Sequence, residues 1–113
     1  MSPRPAVVTG LAAEIPADPD DPAAGSLGVE LVCTSIASDG DGAADAGTPE
    51  TWTRHDYVKL YDGRRGYVHV RLTPQEMVSS FRVVDWIEVD DTAPKQLRAR
   101  FTTPAGEPRL IPA

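Results

Sequence analysis

Between Thr53 and Val89 the chain reads TRHDYVKLYDGRRGYVHVRLTPQEMVSSFRVVDWIEV, three segments in which apolar residues fall on alternate positions. A strand with one buried face requires that spacing. Val68, Val70 and Leu72 carry it in one segment, Phe81 and Val83 in the next. The two connections are equally informative. Asp62-Gly63-Arg64-Arg65-Gly66 predicts a hairpin loop, with glycines available for positive φ and the Arg64-Arg65 pair at a solvated tip. Thr73-Pro74-Gln75-Glu76 predicts a capping box, with Thr73 at the N-cap, Pro74 at the first helical position and Glu76 reaching back to the cap amide. It would open a helix of about two turns that ends before Phe81. The expected fold is mainly β, an antiparallel meander with one short helix.

Outside that region the pattern is less regular. Residues 5–9 read as a short β-branched strand, and Val29–Ile36 as a strand whose nearly continuous apolar run suggests burial on both faces. Cys33, within it, reads as a small buried hydrophobe. Residues 16–28 and 38–51 are long acidic loops, the first broken by three prolines and three aspartates. Gln96–Thr103 predicts a last strand, with Leu97, Ala99 and Phe101 on one face and Arg98, Arg100 and Thr102 on the other. The tail from Pro108 has no regular pattern, and no internal repeat is seen.

Charge divides the chain where its patterning does. Residues 1–50 hold nine acidic residues and one base, Arg4, while residues 51–113 hold eight acids and ten bases, leaving −8 and +2 within the overall −6. So acidic a balance argues against nucleic acid as a partner, because phosphate contacts need clustered Lys and Arg. No apolar run approaches the ~20 residues of a membrane helix, so no membrane partner is expected. Residues 6–13, AVVTGLAA, fit a strand better than a signal segment, given Pro3, Pro5, Gly10 and a single base. One cysteine excludes an internal disulfide and leaves the compartment unassigned.

Few residues carry chemistry. Asp39, Asp41, Asp45 and Glu50 fall on calcium-loop positions, but Ala43 and Ala44 stand where an oxygen ligand and a glycine are needed, so a hydrated acidic loop is expected. Cys33, His55 and His69 match no zinc spacing, and a fourth ligand is missing. His69 reads as an exposed strand residue beside Tyr67 and Arg71. Thr34, Ser35 and Ser38 end a strand, where sites are often built, but no nucleophile elbow surrounds them. Asp85 and Glu88 read as opposite faces of one strand and so not as a paired-carboxylate site. Tyr67 and Trp86 read as core or edge aromatics.

Several of these stretches resemble the C-terminal part of PhoD-type alkaline phosphatases. They are His55-Asp56-Tyr57-Val58-Lys59, Tyr61 through Val68, Leu72-Thr73-Pro74, Phe81-Arg82-Val83-Val84, Val29 through Gly42, and Phe101 through Leu110. The match runs in the family's order over about residues 5–113. The resemblance implies strands from an α/β two-sheet metallophosphatase sandwich, in a family that is typically exported and hydrolyses phosphoric mono- or diesters with calcium and iron. Its strand-end turn would correspond to Thr34 and Ser35, and its Asn-Pro-His position to His55, here preceded by Thr53 and Arg54. These three are the substrate-cleft candidates. Where the family's first strand enters an Asp-x-His metal-binding turn, this chain continues from Gly10 into Leu11-Ala12-Ala13-Glu14. A dimetal centre needs carboxylate, Asn and His ligands gathered from several strand ends. No catalytic residue, metal ligand or cofactor is therefore expected in this chain alone. It is expected to be a single partial C-terminal domain, from a truncated, split or decayed gene, and inactive alone. It would be partnered by a missing N-terminal catalytic part or by its own copies through exposed strands. The alternative is a small β-rich binding or interaction module without catalysis.

Overall fold

The computed structural model describes residues 10–35, 40–41 and 54–113. The expected strand at 5–9 and nearly all of the acidic stretch at 38–51, with the calcium-loop positions Asp39, Asp45 and Glu50, lie outside them. Among the described residues, seven strands form two antiparallel sheets. A three-stranded sheet has the order β2 (Ser26–Val32), β1 (Gly10–Pro16), β3 (Val58–Asp62); a four-stranded one runs β4 (Arg65–Leu72), β5 (Glu76–Val84), β6 (Gln96–Pro104), β7 (Ile111–Pro112). The fold is mainly β, and the meander is present, shifted to β4 through β7.

The core lies between the sheets. Ala12 and Leu60 of the small sheet meet Phe81 and Phe101 of the large one, with Leu110 of the tail closing the cluster. The two phenyl rings pack edge to face at 6.3 Å, and burying each contributes about 1.5–3 kcal/mol. The other face of the small sheet is also covered, with Leu11, Ala13 and Tyr61 packed with Val32, Tyr57 and Val58. β1 therefore sits centrally and is buried on both faces, which the small side chains of Gly10, Ala12 and Ala13 permit.

Three connections differ from expectation for identifiable reasons. Asp62 to Gly66 is not a hairpin, because β3 and β4 belong to different sheets and the segment crosses between them. Neither Gly63 nor Gly66 has positive φ; among the described residues those that do are Gly25, Gly40 and Gly106. Gly66 is needed for close approach instead, since a Cβ there would run into the Arg82 carbonyl. Arg64 and Arg65 are not a solvated tip either: Arg65 is buried and Arg64 mostly so.

Thr73 does act as a cap, but of a turn rather than a helix. Its hydroxyl accepts from the amides of Gln75 and Glu76, and its own N–H donates to the Glu76 carbonyl at 2.9 Å. The chain reverses at Pro74-Gln75 and β5 begins at Glu76, paired on one side with β4 and on the other with β6. Two ladders of backbone hydrogen bonds outweigh a helix too short to be stable.

The expected strand at Val29–Ile36 is shifted to Ser26–Val32. As an edge strand it is only partly covered, so Cys33 beyond it is exposed rather than buried. Asp85 and Glu88 do not share a strand, because β5 stops at Val84. β6 contains a bulge opposite Phe81 and Arg82, which places Leu97 across from Arg82 and reverses the expected alternation. Leu97 is consequently exposed, and Arg98 reaches Asp62. The tail is also more ordered than its pattern suggested, with Leu110 in the core and β7 paired to β6.

Replacing Gly66 by Ala should force β4 away from β5 and destabilise the fold by about 1–3 kcal/mol. A urea titration that places the variant's midpoint at the wild-type value would refute the close-approach account.

Candidate functional site

The crossing from β3 to β4 gathers most of the buried polar chemistry. Asp62, the last residue of β3, is 2% exposed and accepts hydrogen bonds from two arginines. Arg64 supplies its backbone amide at 2.9 Å, Nε at 3.1 Å and Nη2 at 2.8 Å, and Arg98 supplies Nε at 2.9 Å from the other sheet. Arg64 also reaches Asp85, which in turn accepts from Gln96. Burial by itself would push the Asp62 carboxyl up, but the Arg64 and Arg98 hydrogen bonds and the Arg64 charge outweigh it and hold the group below its ordinary 3.8. The hydrogen bond to Asp62 likewise raises Arg64, so both stay charged.

The neighbouring Arg65 forms a second tie. Its Nη1 donates to Thr34 Oγ1 at 3.0 Å and its Nε to the Gly40 carbonyl at 2.8 Å. The Gly66 amide donates to the Ser35 carbonyl at 3.2 Å. Thr34 and Ser35, two of the three cleft candidates, are thus brought together here as backbone and hydroxyl acceptors that anchor the start of β4. Asp41 extends the tie by accepting from the amides of Ile87 at 2.6 Å and Glu88 at 2.9 Å. Those two amides, with Arg65 nearby, lower its carboxyl below 3.8.

His55 stands apart. Its ring stacks on Tyr57 with centroids 4.9 Å apart, and it lines a groove of about 310 Å³ with Leu11, Ala13, Glu14 and Arg54. Neither Thr34 nor Ser35 lines that groove. His69 is exposed on β4, while Tyr67 and Trp86 are half-buried around a second groove of about 410 Å³. Asp62 and Arg65 were not candidates from sequence, and Asp41 was weighed only as a calcium-loop position. The available signal was the Asp-x-Arg-Arg spacing, which a loop tip explained equally well.

Among the described residues, no three His, Cys, Asp or Glu side chains converge as metal ligands. Asp62 is taken by guanidinium groups and Asp41 by amides. Leu11, Ala12 and Ala13, following Gly10, are buried core. The described residues do not fit the calcium and iron that the resemblance implies, and no catalytic step is derived through those metals.

No family model matches the sequence, and no curated protein does. Among solved structures the chain is similar to one titled "Structure of PhoD", with a TM-score of 0.81 and 26% sequence identity over 96% of this chain and 21% of that one. The fold is PhoD-like, and the chain spans about a fifth of that structure's length.

Asp62→Asn leaves Arg64 and Arg98 without their carboxylate. It should destabilise by about 3 kcal/mol, at the low end for a broken buried pair because Arg98 is 42% exposed. The wild-type contribution of Asp62 is complete above the carboxyl's unfolded value and is lost as pH falls through its depressed folded value, so the variant should flatten the stability profile below about pH 4. Parallel acid limbs in the two proteins would count against it.

Proposed function

We propose that this chain is a non-catalytic scaffold segment of a PhoD-like phosphatase architecture. Its two sheets frame a phosphoric-ester site whose metal ligands belong to a separate N-terminal catalytic part, its proposed partner. The observation that carries this reading is the match to PhoD over nearly the whole chain but only a fifth of PhoD's length. The use of carboxylates as ties supports it, since Asp41 and Asp62 already accept from amides and arginines. So does β1, which runs as a buried central strand where the family's metal-binding turn would stand. In this reading Thr34 and Ser35 hold the strand ends under the cleft, and His55 lies at its edge. The chain itself binds neither calcium nor iron.

The purified chain should not hydrolyse a chromogenic phosphate ester when calcium and ferric iron are supplied. Turnover that a chelator abolishes, or two metals retained by the protein through dialysis, would overturn the scaffold reading.

A further inference from the structure

The outer face of the four-stranded sheet, turned away from the small sheet, gathers three arginines and a histidine, against one carboxylate, Glu76, at the start of β5. The registers put Tyr67 opposite Arg82, His69 opposite Ser80 and Arg71 opposite Val78. They also put Arg100 opposite Ser80 and Leu97 opposite Arg82. Arg71, Arg82, Arg100 and His69 therefore share this face. Arg100 donates to the buried Ser80 hydroxyl at 3.0 Å, and among the described residues none of the three arginines meets a carboxylate. By contrast Arg64, Arg98 and Arg109 all meet carboxylates. Arg82 and Arg100 are also half-buried, and a partly desolvated guanidinium without an anion is an unfavourable arrangement that a carboxylate partner relieves.

We propose that this face docks the aspartate-rich turn Asp18-Pro19-Asp20-Asp21 of a second copy of the chain. All four residues of the turn are exposed. Asp18 and Asp21 each spend one carboxylate oxygen on a local amide, those of Asp20 and Ala23, and the Asp20 carboxylate has no partner among the described residues. The turn joins β1 to β2 in the small sheet, which packs against the opposite side of the large sheet. It lies away from Arg71, Arg82 and Arg100, and the cations of its own molecule that share a groove with Asp18 and Asp21 are Arg54, Lys59 and Arg109. Duplex nucleic acid is a poor occupant, because three arginines and a histidine on a chain of net charge −6 do not offset long-range repulsion from a phosphate backbone. The contact joins unlike surfaces, so assembly is head-to-tail and closes into a ring only where the rotation between copies allows it. It does not depend on the scaffold reading.

Sedimentation velocity of the full chain tests this. Weight-average mass should rise with protein concentration at ~50 mM salt and fall to the monomer value at ~500 mM, where surface charges are screened. Arg82→Glu with Arg100→Glu should abolish association, as should Asp20→Lys with Asp21→Lys. An equimolar mixture of these two double variants should associate, because one keeps the acidic turn and the other keeps the basic face. Circular dichroism checks that each variant is folded, and Arg71→Glu, at an exposed position, should weaken association several-fold if the buried pair does not tolerate replacement. A wild type that stays monomeric at low salt, a basic-face variant that still associates, or a mixture that forms no complex would overturn the proposal.

Discussion

A single buried carboxylate organises this fold. Asp62 ends the small sheet, and the two arginines it accepts from come from the crossing segment and from the large sheet. The contact between two sheets built on few large apolar residues thus gains a directional component that hydrophobic packing lacks. Burial of a carboxylate is unfavourable on its own. Here guanidinium donors, reinforced by a backbone amide, satisfy it and keep it ionised. The interaction also fixes the angle at which the chain leaves one sheet and enters the other.

The second set of ties follows from that angle. With Arg64 committed to Asp62, the next residue points the other way, and Arg65 is carried to Thr34 and Gly40. Gly66 can then lie against the Arg82 carbonyl, a position open only to a residue without a side chain. Asp41 meets the amides that follow β5, so the irregular stretch after Val84 is held to the body. The polar groups that might have done chemistry are those that hold the strands in place. That is the expected economy of a small core, which needs specific polar contacts to select one arrangement of sheets.

Similarity to PhoD gives the arrangement a context. The architecture is shared across nearly the whole chain, although about three-quarters of the aligned residues differ. What persists between distant sequences is then the sheet layout and its crossing.

Extended segments were legible at Val68–Leu72, Phe81–Val83 and Gln96–Thr103, because apolar alternation is a local property that short sequence windows record, although Val70 and Leu72 are exposed and the bulge turns Leu97 outward. The acidic and basic halves were also visible, as was the departure after Gly10. Where each strand belongs was not legible. Asp-Gly-Arg-Arg-Gly suits a hairpin tip and a sheet crossing equally well, and only the partners Thr34, Gly40 and Arg98, distant in sequence, separate the two. Thr73 was correctly read as a cap, but whether it capped a helix or a turn depended on the ladders available to Glu76–Val84. The reversal of Leu97 and Arg98 likewise came from a bulge in pairing. The chain's local chemistry therefore determined which segments are extended and which residues can turn or cap. Tertiary structure decided which of the charged groups are buried, since burial depends on neighbours that fold in from far along the chain.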